Sequence, residues 1–138
     1  MSAYSHGRHE HGQNFLTDSR VIASLMDRVA STTGPLIEIG PGDGALARPL
    51  AGTGRPLTAV EIDPRLADAL RRTLGPAVTI VNDDARSFFA TCEEKFDVIA
   101  FGLLDSHTTT SLTNARLDHY VYTRESLELA KSLLAPGG

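Results

Sequence analysis

Three glycines and two acidic residues stand at a spacing suited to ligand chemistry. Gly40, Gly42 and Gly44 alternate after a short apolar run. Glu38 comes two residues before Gly40, and Glu61 ends the next apolar run, 21 residues after it. Glycines let the backbone turn sharply and approach a ligand closely, and a carboxylate after the second strand accepts hydrogen bonds from ribose hydroxyls. The spacing therefore predicts a loop that binds a nucleoside.

Two cofactors fit such a loop. Gly40, Gly42 and Ala45 satisfy the dinucleotide pattern G-x-G-x-x-G/A, which favours a nicotinamide cofactor. Glu38 favours S-adenosylmethionine, because an acid suits a cationic methionine group better than a pyrophosphate. Asp84, in the stretch NDDAR, is a suitable acceptor for the amino group of an adenine. The alternative interpretation is that such acids only cap turns.

Short apolar runs alternate with amphipathic segments on both sides of the loop. The runs predict four strands, at 35–40, 56–63, 77–83 and 95–102. The amphipathic segments predict helices at 18–32, 44–52, 63–75 and 123–134. This alternation indicates an α/β fold, a doubly wound parallel sheet with helices on both faces. Ligands bind such sheets at the carboxyl ends of the strands, beside the first strand-to-helix turn.

Residues at the element ends support these boundaries. Asp18, Asp63 and Thr123 are predicted N-caps, and Gly75 is predicted to end the third helix. Pro49 is expected to limit the length of the second helix. Residues 103–122 are polar and rich in threonine, which predicts a long loop of the kind that often carries function.

The composition is that of one globular domain of 138 residues. A net charge of −4 argues mildly against nucleic-acid binding, which more often shows a basic footprint. A single cysteine, Cys92, indicates a reducing cytoplasm, and no run approaches the roughly 18 apolar residues of a membrane helix. We expect a cytoplasmic protein with no membrane partner and no metal site. His6, His9 and His11 are interpreted as part of a solvated tail.

Residues 6–82 resemble the N-terminal half of the ribosomal RNA adenine N6-methyltransferases. The signals are GQNFL at 12–16, before a helix, and EIGPGDG at 38–44. The resemblance is greatest to the Erm-type, macrolide-resistance enzymes, which dimethylate an adenine of large-subunit ribosomal RNA. It implies the Rossmann-like class I methyltransferase fold, S-adenosylmethionine as cofactor and ribosomal RNA as partner.

The loop chemistry predicts the part of the cofactor site around the glycines and Glu61, and the resemblance implies the part that Asn14 and Leu16 form. Residues 1–17 are expected to be a flexible segment that carries the cofactor-contacting QNFL motif, and residues 18–138 a partial cofactor-binding domain. The predicted cofactor-binding residues are Asn14, Leu16, Glu38, Gly40, Gly42, Gly44, Glu61, Ile62, Asp84, Ala85 and Phe101.

The second half departs from that family pattern. After strand four the family carries Asn-(apolar)-Pro-Tyr or -Phe, whose ring stacks on the flipped base, whereas this chain reads FDVIAFGLLDSHT at 96–108. Residues 83–138 are instead similar to spermidine-synthase-like proteins of the same fold. The Asp-x-x-Asp pair of those proteins is incomplete, because Gly102 holds the first position and only Asp105 remains. We expect a chimera or fragment with a junction near residue 82, truncated before strand five.

Three functions follow from these patterns. The first is methylation of adenine N6 in ribosomal RNA, to which the resemblance points. The second is an inactive fragment that binds S-adenosylmethionine or a nucleoside. The third is transfer to a small amine, for which Asp105 and His107 are the catalytic candidates. Strand four, left as an uncovered edge, also predicts self-association.

Overall fold

Four parallel strands form one sheet at the centre of the structure. The computed structural model describes residues 18–102 and 123–138. Its strands are β1 (Leu36–Ile39), β2 (Leu57–Val60), β3 (Val78–Val81) and β4 (Val98–Phe101). They lie in the order β3-β2-β1-β4, and every pairing is parallel. The chain builds outward from β1 on one side and then returns to its other edge, which is the switch point of a doubly wound sheet.

Five helices surround this sheet within the described ranges. They are α1 (Ser19–Ala30), α2 (Ala47–Gly52), α3 (Pro64–Leu74), α4 (Ala85–Thr91) and α5 (Arg124–Ser132). The predicted caps are confirmed, because the side chains of Asp18, Asp63 and Thr123 each accept a hydrogen bond from a backbone N–H of the first turn. Gly75 ends α3 with a φ of 73°.

The two faces of the sheet carry separate apolar clusters. Side chains alternate along a strand, so Leu36 packs toward α1 and α2, while Ile37 and Ile39 pack toward α4 and α5. All four residues of β1 are buried, as expected for a central strand covered on both faces. Glu38 lies on the same face as Leu36, so a carboxyl group takes a core position.

Two details add to the sequence predictions. Pro49 lies in the first turn of α2, where a missing N–H is tolerated, and α2 runs only from Ala47 to Gly52. The N–H groups of Arg48 and Leu50 still bond to carbonyls one turn earlier. No helix was predicted between β3 and β4, yet α4 forms there. Asp84 caps it, accepting a hydrogen bond from the Ser87 N–H at 3.2 Å.

The outer edge of β4 is paired only at its start within the described part of the chain. Phe96 forms a parallel bridge to Leu134, just after α5. The Phe96 N–H donates to the Leu133 carbonyl, and the Ala135 N–H donates to the Phe96 carbonyl, each at 2.8 Å. Beyond this bridge β4 is the edge strand of the described sheet.

Candidate nucleoside-binding site

The glycine loop adopts a backbone that only glycine accommodates readily. Gly40, Gly42 and Gly44 have φ angles of 71°, 58° and 90°, all in the left-handed region. The Gly40 N–H donates to the Val60 carbonyl at 2.9 Å, and the Gly44 N–H closes a turn by donating to the Pro41 carbonyl at 2.9 Å. The loop therefore leaves β1 while still bonded to β2, and turns directly into α2.

Glu61 ties this loop to the end of β2. Its carboxylate accepts hydrogen bonds from the Gly42 N–H and from the Asp63 N–H, each at 3.1 Å. The residue is only 5% exposed. Burial raises the pKa of the Glu61 carboxyl, and the two backbone bonds oppose that rise. Each carboxylate oxygen has a second lone pair, so the group retains acceptor capacity toward a hydroxyl.

Glu38 is buried without a hydrogen-bond partner for one carboxyl oxygen. It is 2% exposed, and its Oε2 atom has no partner. Its neighbours across the sheet are Ala59 on β2 and Ala100 on β4, both small. Burial raises the pKa of the Glu38 carboxyl to about 8, and the carboxylates of Glu61 and Asp43 add to the rise. At neutral pH the group is therefore mostly protonated.

The structure brings part of the predicted set together. Glu38, Glu61 and the three glycines form one cluster at the carboxyl ends of β1 and β2. Ile62, the residue after Glu61, is 45% exposed. The interpretation of Glu38 as a turn cap is wrong, because it lies within β1.

The acids that follow β3 make local hydrogen bonds, and the adenine contact of Asp84 stays a prediction. Asp84 caps α4, and Asp83 accepts a hydrogen bond from the Asp84 N–H at 2.8 Å. Ala85, the first residue of α4, is buried in the apolar cluster between the sheet and the helices α4 and α5. Phe101 contacts Phe89 edge-to-face, with ring centroids 6.1 Å apart. Its ring therefore packs on the sheet face opposite Glu38.

Four predicted residues fall outside the described ranges. They are Asn14 and Leu16, predicted to bind cofactor, and the catalytic candidates Asp105 and His107. In residues 18–102 and 123–138, no group of three His, Cys, Asp or Glu side chains is arranged to hold a metal ion. No helix in those ranges is long and apolar enough to cross a membrane.

Gly102 places the end of β4 directly against the glycine loop. Its N–H donates to the Ile39 carbonyl at 2.7 Å. A Cβ atom at this position would overlap the Gly40 carbonyl oxygen and lie 3.1 Å from the Ile39 carbonyl oxygen. Position 102 therefore has no room for a side chain unless the loop shifts. Sequence patterns did not reveal this contact, because it joins residues 62 positions apart.

The sequence profile for "Ribosomal RNA adenine dimethylase" matches residues 4–130. The chain belongs to this family. It is 45% identical over 124 residues to an rRNA adenine N-6-methyltransferase of Corynebacterium diphtheriae, covering 89% of this chain and 48% of that relative. It is 48% identical over 79 residues to the mycinamicin-resistance protein MyrB of Micromonospora griseorubida, covering 56% of this chain and 25% of that relative. The chain thus spans half or less of the length of these relatives.

Solved structures confirm the fold. The 23S rRNA methyltransferase ErmE superposes with a TM-score of 0.52 at 39% identity, covering 63% of this chain and 36% of ErmE. SAM-bound CalS10, an amino pentose methyltransferase from Micromonospora echinaspora, superposes with a TM-score of 0.63 at 19% identity. That match covers 100% of this chain and 54% of CalS10. The fold is the Rossmann-like class I methyltransferase fold, as predicted.

The family assignment confirms the resemblance on which residues 6–82 were interpreted. The matched range extends past residue 82 to residue 130. The junction near residue 82 and the spermidine-synthase-like resemblance of residues 83–138 stay predictions.

Glu38→Gln is expected to stabilise the protein increasingly as pH rises. The folded carboxyl has a pKa of about 8 and the ordinary value is 4.5, so between these the folded form binds more protons than the unfolded form. The free energy of unfolding therefore falls as pH rises through this window. Each pKa unit corresponds to about 1.4 kcal/mol, so the variant should gain on the order of a few kcal/mol by pH 8.

Urea denaturation of both proteins between pH 5 and pH 8 measures this gain. Glu93→Gln, at an exposed position, is the matched control and should follow the wild-type curve. A Glu38→Gln curve parallel to the wild-type curve throughout would contradict the buried, uncompensated carboxyl.

Gly102→Ala is expected to lower the free energy of unfolding by about 1–3 kcal/mol, the usual scale of overpacking. The added methyl group would meet the Gly40 backbone, which cannot move without disturbing the loop. Gly52→Ala is the control, because a Cβ atom there meets nothing within 4 Å and lies in α2. Helix propensity predicts that this control is slightly stabilised. Equal denaturation midpoints for the two variants would show that the contact at Gly102 is absent.

Proposed function

We propose that this chain binds S-adenosylmethionine and forms the cofactor-binding part of an rRNA adenine N6-methyltransferase. The observation that carries the proposal is the pair of buried carboxyl groups, Glu38 and Glu61, beside the open glycine loop. Membership of the ribosomal RNA adenine dimethylase family supports the reaction, and relatives of the macrolide-resistance type support the class of substrate.

The buried acids fit a cationic cofactor. Glu38 has an unpartnered oxygen inside the fold, and a buried acceptor without a partner costs free energy until one arrives. The ammonium and sulfonium groups of S-adenosylmethionine are positive, so the methionine end would favour ionisation of the Glu38 carboxyl, which is mostly protonated without it. A dinucleotide would bring a pyrophosphate to the same loop, next to two acids. The two acidic groups beside the loop therefore favour S-adenosylmethionine over the nicotinamide alternative.

The other proposed contacts are to the ribose and the adenine of the cofactor. Glu61 would accept hydrogen bonds from the ribose hydroxyls, in addition to its bonds from Gly42 and Asp63. Ile62, partly exposed beside it, would pack on the adenine ring. Asp84 and the Ala85 backbone would meet the adenine edge. Asn14, Leu16 and Phe101 complete the proposed set.

The protein's part in methyl transfer would be alignment. The cofactor supplies an activated methyl group, which an amine nitrogen attacks in line with the sulfur. A reaction of this kind gains most from orientation and from exclusion of water. The glycine loop and Glu61 would hold the nucleoside end rigidly, and the end of β4 would face the acceptor.

A second candidate function is binding without transfer. Gly102 favours it, because the residue after β4 has no side chain and no room for one. The Asn-(apolar)-Pro-Tyr or -Phe motif that the family resemblance leads us to expect after strand four is missing from the sequence at 102–108. Small-amine transfer rests on Asp105 and His107 and stays a prediction. Because ribosomal RNA is the proposed substrate, a cytoplasmic location is proposed with it.

Calorimetric titration with S-adenosylmethionine, and separately with NAD, tests the cofactor. Saturable binding of S-adenosylmethionine alone is expected. Glu61→Gln should weaken it by about 10- to 100-fold, because hydrogen bonds to a charged acceptor contribute about 1.5–3 kcal/mol. Glu93→Gln, exposed and away from the loop, should bind like the wild type. Binding of NAD alone, or of neither ligand by a folded chain, would overturn the proposal.

Transfer of a radiolabelled methyl group to large-subunit ribosomal RNA separates the two candidate functions. Incorporation that disappears in Glu61→Gln supports the methyltransferase. Cofactor binding without incorporation supports the binding module.

We also propose that β4, the edge strand of the sheet formed by the described residues, mediates self-association. Backbone groups of Val98 and Ala100 face the same side as those of Phe96, which is already bridged to Leu134. An unpaired strand edge is a template for another strand. Sedimentation velocity at increasing concentration should show a growing dimer fraction. A strictly monomeric profile across the whole range would rule this out.

A further inference from the structure

Asn82 makes two side-chain hydrogen bonds to the residues that carry the nucleoside contacts. Its Nδ2 group donates to the Glu61 carbonyl at 2.8 Å and to the Ile62 carbonyl at 3.1 Å. Asn82 directly follows β3, and these two carbonyls lie where β2 has ended. The contact therefore joins two neighbouring strands just beyond their ladder, on the side where the site lies.

These two bonds add to others that hold the short turn between β2 and α3. The Glu61 N–H donates to the Val81 carbonyl at 2.9 Å, and the Glu61 carboxylate accepts from the Asp63 N–H. Asn82 adds the carbonyls of Glu61 and Ile62 to this set. The amide of asparagine has two N–H donors on one nitrogen, which suits two adjacent carbonyls. Between β2 and α3, the backbone that presents Glu61 is thus held at each residue.

Asparagine is poorly suited to a strand on propensity grounds. A β-branched residue in its place would extend β3 but would leave both carbonyls to water. The Asn82 amide donates to both carbonyls, which belong to the two residues proposed to contact the ribose and the adenine ring. An asparagine at this position therefore supports the site rather than the pairing of the sheet.

We infer that Asn82 is a positioning residue for nucleoside recognition, which aims the Glu61 carboxylate at the ribose hydroxyls by holding the backbone of Glu61 and Ile62. The inference rests on the proposed function. It adds a residue that does not touch the ligand and a specific consequence, namely that discrimination of the ribose hydroxyls depends on Asn82.

Two ligands that differ only in the ribose hydroxyls test whether recognition of these hydroxyls depends on Asn82. Adenosine has both ribose hydroxyls, and 2′,3′-dideoxyadenosine has neither. Dissociation constants of each are measured by ligand-observed NMR for the wild type, Asn82→Ala and Asn82→Asp. The aspartate variant keeps the size of the side chain but has no donor. Thr79→Ala, at an exposed position of β3, is the surface control.

The wild type and Thr79→Ala are expected to prefer adenosine. Both Asn82 variants should lose about tenfold of that preference, on the scale of one or two hydrogen bonds, with little change for the dideoxy ligand. Adding Asn82→Ala to Glu61→Gln should have little further effect on the preference, because the two residues act through one contact. Circular dichroism of each variant verifies that it is folded.

Two results would overturn the inference while leaving the proposed function intact. One is equal weakening of both ligands, which indicates a purely structural role. The other is an unchanged preference in a folded Asn82→Asp variant. Failure of the folded wild type to bind either adenosine or S-adenosylmethionine would instead remove the proposed function, and the inference with it.

Discussion

The bond from the Gly42 N–H to the Glu61 carboxylate connects the two halves of the site. It joins a loop that has just left β1 to the residue that ends β2, and the same carboxylate also accepts from Asp63 as the chain enters α3. The left-handed glycines allow the loop to reach this position, and the absence of a side chain at Gly44 lets it approach Leu70 on α3. Without a carboxylate at position 61, the loop would lose the partner that fixes it to the neighbouring strand.

The opposite ends of the strands are held by different means. Asp97 accepts hydrogen bonds from the Thr33 and Gly34 N–H groups ahead of β1, and Arg55 donates to the carbonyls of Val29 and Gly34. These contacts secure the α1–β1 connection to β4 and to the turn before β2. Stability of the sheet is thereby supported at the end away from the loop. The carboxyl end can then retain an uncompensated group such as Glu38.

Local sequence signals predicted the parts of the fold that depend on local physics. Asp18, Asp63 and Gly75 act within a turn of their own positions, and the structure confirms them. The glycine spacing predicted the loop because left-handed backbone strongly selects glycine. The short helix α4 was missed because seven residues give little periodicity, although Asp84 was available as its cap.

Long-range contacts were beyond sequence reasoning. Nothing near Asn82 or Gly102 in the sequence indicates that one bonds to the turn after β2 and the other packs on Gly40. Both depend on the register of parallel strands, which only the assembled sheet defines. For the same reason the sequence predicts the strand over residues 35–40 but does not indicate that one Glu38 oxygen lacks a hydrogen-bond partner.

The burial of Glu38 has a consequence for how the protein would respond to its surroundings. A ligand that binds only the folded form raises the free energy of unfolding by RT ln(1 + [L]/Kd), about 2.7 kcal/mol at a hundredfold excess over Kd. A cation bound beside Glu38 would also stabilise the ionised form of this buried carboxyl, one oxygen of which has no partner. The extra stabilisation would be largest at higher pH, where the protein without ligand is least stable. A higher ligand concentration and a lower pH would then both raise the free energy of unfolding. Resistance of the folded chain to proteolysis would depend on both.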